Sequence, residues 1–179
     1  LAGVTAYEGG LQTAAEVDAF LATQVAVVRG LADVLPSEVI VSAGGSAWFD
    51  RVIAALEGQW LPGHTVRAVL RSGASVTHDE GFYRERTPFT RIAAEGSLTS
   101  AIEMYAQVLS TPEPGLAIVG MGKRDAPFDE GLPTCAEGEV VKLNDHHTYV
   151  RADGLEPGDL LSFGLSHPCT AFDKWRHIP

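Results

Sequence analysis

The chain has 179 residues, of which 45% are hydrophobic and 20% charged, the composition of a globular protein with room for a real core and not of a disordered tail or a coiled coil. Thirteen Lys and Arg against 23 Asp and Glu leave a formal net charge of −10, the wrong sign for neutralising a phosphate backbone, so no nucleic-acid partner is expected. Two cysteines do not make a disulfide framework, no apolar run approaches the ~20 residues needed to cross a bilayer, and the start Leu1-Ala2-Gly3-Val4 lacks a basic n-region; a reducing, cytoplasmic setting without a membrane partner is expected.

In chain order, Leu1 to Tyr7 reads as a strand ending in the turn Glu8-Gly9-Gly10. Thr13 and Glu16 stand three apart as a capping box. Val17, Phe20, Leu21, Val25, Val28, Leu31 and Leu35 then recur with helical spacing, which predicts an amphipathic helix closed by Pro36. Val39-Ile40-Val41 is a short, fully apolar strand, followed by a helix from Ala47 to Glu57 stopped near Gly58, and Val66 to Leu70 reads as another buried strand. Strand, helix, strand, helix, strand implies parallel strands with crossover helices, in a barrel or an open doubly wound sheet.

Beyond about residue 85 the period changes. Ile102, Met104, Ala106 and Val108 alternate with polar or boundary residues, as in an antiparallel sheet with one face buried. Further short strands are expected at 115–120, 138–143, 149–151 and 160–163, separated by turns such as Glu156-Pro157-Gly158-Asp159. The expected division is therefore an α/β part over 1–90 and a β domain over 91–179, with the boundary near residues 84–100, where the segment Arg84 to Arg91 is charged and interrupted by Pro88.

Chemistry concentrates in a few segments. Ser42-Ala43-Gly44-Gly45-Ser46 joins a strand to a helix start, where glycines let backbone amides approach an anion and the helix dipole favours negative charge. The same pattern is also ordinary strand-to-helix punctuation. Arg71-Ser72-Gly73-Ala74 offers a second glycine turn at the same end of a parallel sheet, which strengthens the phosphate reading. Ser166-His167-Pro168-Cys169-Thr170 sets an imidazole and a thiol two residues apart, so an extended backbone would point both the same way. They are half of a zinc site, or a partly buried histidine beside a structural cysteine. His146 and His147 lie upstream, with Asp145 as a further ligand or an orienting carboxylate. His78-Asp79-Glu80 reads as a solvated loop, and Gly122-Lys123-Arg124-Asp125 as a tight turn or an anion contact.

Leu143-Asn144-Asp145-His146-His147 and, further on, Ser166-His167-Pro168-Cys169-Thr170-Ala171-Phe172-Asp173-Lys174-Trp175 resemble the carboxyl-terminal signature of the D-threonine aldolase and D-serine dehydratase family. Gly3-Val4-Thr5-Ala6-Tyr7-Glu8-Gly9 and the Ser42 to Ser46 turn resemble that family's later barrel strands. The resemblance implies the later strands and helices of an alanine-racemase-type β/α barrel followed by an antiparallel β domain, with pyridoxal phosphate as cofactor and a divalent metal, zinc foremost. It implies that Gly44, Gly45 and Ser46, with Gly73 and Ala74, hold the cofactor phosphate and that Thr5 and Tyr7 line its ring. It further implies that His167 and Cys169 hold the metal and that His147 faces the substrate as acid, base or hydrogen-bond donor, with Asp145 a candidate for orienting it. Ser75 stands where many members carry an aromatic residue, and the Schiff-base lysine of the family is expected upstream of Leu1.

The implied activity is a lyase acting on a small D-hydroxy amino acid as a homodimer, by β-elimination as in D-serine dehydratase. Retro-aldol cleavage of the D-threonine aldolase type is the alternative. A non-catalytic cofactor- or metal-binding module is a third reading, and the stretch Leu1 to Pro179 alone is expected to be inactive.

Overall fold

The computed structural model describes residues 1–92 and 95–178. By its internal contacts the chain divides into two units, one of residues 1–73 and 87–95, the other of 74–86 and 96–179. Both the α/β first half and the antiparallel β second half expected from the residue patterns are present.

The first unit is a three-stranded parallel sheet in the order β1 (Gly3–Thr5), β2 (Glu38–Ala43), β3 (Thr65–Leu70). The crossovers carry α1 (Ala14–Gly30) and α2 (Phe49–Leu56). Helix α1 begins where the capping box predicts: the Thr13 hydroxyl accepts from the Glu16 amide at 3.3 Å, and the Glu16 carboxylate accepts from the Thr13 amide at 2.9 Å. The Thr13 hydroxyl also donates to the Glu16 carboxylate at 2.9 Å, and this bond first, then the Thr13 and Gln12 amides, hold the Glu16 carboxyl below its usual range. Replacing Thr13 with Ala should lower stability by about 1 kcal/mol, which urea unfolding would read directly.

Val17, Leu21 and Val28 of α1 pack with Val39, Val41 and Ala43 of β2 and with Val52 and Leu56 of α2. Two expectations change here. Ile40 is 41% exposed between its buried neighbours, so β2 alternates over Glu38 to Val41 and is buried on both faces only from Ser42 on. Expected as a buried strand, β3 exposes Thr65, Arg67, Ala68 and Leu70 on both of its faces, because within this sheet it pairs with β2 alone. Arg91 joins segment 87–92 to this unit. Its guanidinium is forked onto Asp50 at 2.7 and 3.1 Å, donates to the Ala47 carbonyl at 2.7 Å and lies over the Trp48 ring.

The second unit is a six-stranded antiparallel sheet in the order β6 (Thr134–Cys135), β9 (Leu160–Gly164), β4 (Glu103–Glu113), β5 (Leu116–Val119), β8 (Thr148–Arg151), β7 (Glu139–Leu143). Its two edge strands follow each other in the chain, so the sheet curls toward closure and has little free edge. Ala106, Val108, Ala117, Val119, Val150, Leu161 and Phe163 face its core by the period-2 alternation. Strand β6 was not foreseen, since two residues between turns carry no periodic signal. Short helices α3 (Phe82–Arg86) and α4 (Ala171–Lys174) complete the unit. Among the described residues no helix is long and apolar enough to cross a membrane.

Candidate functional site

Thr5 ends β1, and Tyr7, Gly44, Gly45, Ser46 and Gly73 follow the carboxyl ends of the three parallel strands, where Thr5 is in register with Ser42 and Ala43 with Leu70. Parallel strands collect their following loops at one end, which is where an α/β sheet presents a ligand site. Gly44 has φ +91, a conformation that L side chains rarely adopt, and a Cβ there would strike Leu70. Thr5 and Tyr7 are exposed.

The glycine amides are already engaged. The fully buried carboxylate of Glu8 accepts from the Gly45 amide at 2.6 Å and from the Gly44 amide at 3.1 Å. Two charge-assisted bonds thus tie the loop after β1 to the loop after β2. The donors that converge beyond them are hydroxyls: Ser72 donates to the Ser46 oxygen at 3.3 Å. Gly73 ends the first unit and Ala74 begins the second; the Ala74 carbonyl accepts the His78 amide at 2.7 Å.

In the second unit His167 is the centre of a compact group. An extended backbone was expected through His167-Pro168-Cys169, but His167 has φ 60 and ψ 83 and a 3-10 turn follows over Pro168–Thr170. A left-handed non-glycine residue is sparsely populated and persists only where its surroundings hold it. The holder is Asp79. Its carboxylate accepts the His167 amide at 2.8 Å on one oxygen, and on the other the amides of Gly81, Tyr83 and Arg84 at 3.1, 2.8 and 3.2 Å. Far from lying in a solvated loop, Asp79 is 1% exposed and His78 5%. The physical reason is that this carboxylate supplies the acceptors that both the first turn of α3 and the His167 turn lack.

The His167 ring is fixed separately. Its Nδ1 stands 2.6 Å from Asp129 Oδ2, while Asp129 Oδ1 accepts from the Thr170 hydroxyl at 3.3 Å. The rings of Phe82 and Tyr83 flank it at centroid distances of 5.7 and 5.9 Å. Burial works against the charged form of Asp129, but the His167 hydrogen bond, a backbone amide, the His167 charge and Thr170 outweigh it and hold the carboxyl below its usual range. The neighbouring Cys169 thiol is pushed up, first by burial and then by the negative charge of Asp129, with Asp79 adding to the effect. A thiol held so becomes a thiolate readily only when a cation arrives. Among the described residues no group of three or more His, Cys, Asp or Glu is arranged to hold a metal. His167 and Cys169 would offer an ion a nitrogen and a sulfur donor, leaving the remaining positions to water or substrate.

Asp145 and His147 lie on the exposed tip of the β7–β8 hairpin, residues 144–147 between Leu143 and its partner Thr148. The Asn144 amide donates to the His147 carbonyl at 2.8 Å and closes the loop. The Asp145 carboxylate faces Arg124 at 3.5 Å, so its ion-pair partner is that guanidinium. Gly122 packs under this tip, where a Cβ would come within 2.3 Å of the Asp145 carbonyl oxygen, so residue 122 must be glycine for the hairpin to sit as it does. Residues 122–125 form the tight turn, the Asp125 amide donating to the Gly122 carbonyl at 2.9 Å.

Three participating carboxylates escaped the reading of the sequence. Asp79 had a local signal, an Asp ahead of a short helix, which is the N-cap pattern. Glu8 and Asp129 had none, since their partners lie 36–37 and 38 positions away.

Residues 101–179 match the family model described as "Putative serine dehydratase domain". Among solved structures the chain is similar to D-threonine aldolase from Filomicrobium marinum, with a TM-score of 0.69 and 19% sequence identity, the match covering 97% of this chain. The chain spans 47% of the length of that enzyme. No curated protein matches. The β half is thus similar to the serine dehydratase domain family, and nearly the whole chain shares the fold of that D-threonine aldolase.

Proposed function

We propose that this chain is part of a lyase dependent on pyridoxal phosphate and a divalent metal, which deaminates small D-hydroxy amino acids in the manner of a D-serine dehydratase. The observation that carries the reading is the His167 and Cys169 pair, a nitrogen and a sulfur donor set among the negative charges of Asp79 and Asp129. That donor chemistry fits a zinc-like ion. At the carboxyl end of the parallel sheet the Ser46 and Ser72 hydroxyls fit phosphate oxygens, while the Gly44 and Gly45 amides keep Glu8.

Pyridoxal phosphate, when bound, supplies an electron sink for the pair released from the Cα–H bond. In this reading Ser46 and Ser72, with the Gly73-Ala74 turn, hold the phosphate, and Thr5 and Tyr7 border the ring. His167 and Cys169 hold the ion that activates the β-oxygen, and His147 donates or accepts a proton at the substrate, with Asp145 shaping its loop. With D-serine the Cα–H and Cβ–O bonds break, hydroxide leaves as water, and hydrolysis of the resulting enamine gives pyruvate and ammonia. The proposed working form is a homodimer.

The test gives the full-length enzyme D-serine and D-threonine separately and assays ammonia, keto acid, glycine and aldehyde. Pyruvate and ammonia from D-serine, lost on chelation while the cofactor stays bound, is the expected result. Glycine and acetaldehyde from D-threonine, with no ammonia from either substrate, would replace deamination by aldol cleavage. No product from either would leave a cofactor- or metal-binding module.

A further inference from the structure

We infer that Asp129 is a positioning residue for His167, fixing the ring so that Nε2 alone is presented to a divalent cation; the inference rests on the metal reading above. Every other freedom of His167 is already taken. Its backbone is held in the left-handed region by the Asp79 carboxylate at 2.8 Å, and Phe82 and Tyr83 flank the imidazole with interplanar angles of 55° and 52°. One choice then remains, which nitrogen carries the proton. A carboxylate oxygen 2.6 Å from Nδ1 makes that nitrogen the donor and leaves the Nε2 lone pair for a metal, with raised basicity. Thr170 in turn steadies Asp129 through its other oxygen, and Thr170 follows Cys169 directly, so the turn that carries the thiol also anchors the carboxylate.

Asp129 acts here through another residue and is not itself a ligand: its near oxygen is spent on the ring nitrogen opposite the one a cation would use. With its side chain 43% exposed, it can lose its charge without leaving a buried hole, so Asp129→Asn should fold.

The experiment strips metal from the purified full-length protein and titrates Zn²⁺ back against a competing chromophoric chelator, with Co²⁺ as a spectroscopic stand-in. Asp129→Asn should weaken Zn²⁺ binding roughly ten- to hundred-fold and shift the Co²⁺ d–d bands, while the sulfur-to-cobalt charge-transfer band from Cys169 persists. Asp129→Glu should recover much of the affinity, which a general loss of packing would not allow. Unchanged Zn²⁺ affinity in Asp129→Asn, with or without a lower melting temperature, would overturn the assignment and leave the metal reading standing. A wild-type protein that takes up neither Zn²⁺ nor Co²⁺ would overturn both.

Discussion

Asp79→Ala should lower the stability of the second unit by about 3–5 kcal/mol, a large part of the total for an ordinary domain. One carboxylate with 1% exposure accepts four backbone amides, those of Gly81, Tyr83, Arg84 and His167. Alanine leaves these donors without their acceptor, and the three at the start of α3 have no intrahelical replacement. The His167 turn has a second liability, because its left-handed backbone relaxes once nothing holds its amide. Asp79→Asn keeps one acceptor oxygen but turns an NH₂ toward some of these donors, and should fall between Ala and wild type. Urea unfolding followed by circular dichroism reads the difference. A loss below about 1 kcal/mol for the alanine variant would show that these bonds are readily replaced by water.

Glu8→Ala should cost about 2–4 kcal/mol in the first unit, for a related reason. The carboxylate is completely buried and bridges two loops through the Gly44 and Gly45 amides. Because Gly44 is held at φ +91 between β2 and α2, the turn has few other ways to satisfy its amides. Glu8→Gln should lose less, since one oxygen can still accept, though without the charge. The check is the denaturation midpoint of the two variants at unchanged m-value. A midpoint for Glu8→Ala equal to that of wild type would mean the bridge contributes nothing net.

The periodic segments were legible from the residues alone. Thr13 with Glu16 marked the start of α1 to the residue, and Ile102 to Val108 marked β4, because capping and alternation are local events decided within a few positions. The Gly44-Gly45-Ser46 turn between β2 and α2 was legible for the same reason, whereas the backbone at His167 and Cys169, expected as extended, is a left-handed residue followed by a 3-10 turn. What those local patterns left out is burial by distant neighbours. Ile40 and Leu70 are as hydrophobic as Val39 and Val41, yet they are exposed, since an apolar residue is buried only where another element covers its face.

The tertiary structure alone decided the electrostatic framework of the sites. Glu8 reaches the turn after β2, Asp79 reaches the backbone of His167, and Asp129 reaches its ring, across separations of 36 to 88 positions. A carboxylate's partners are set by which loops meet in space and not by its neighbours in the chain. Sequence spacing therefore named His167 and Cys169 as candidate donors, while folding brought to them the buried Asp79, which holds the His167 backbone, and the partly exposed Asp129, which stands against its ring.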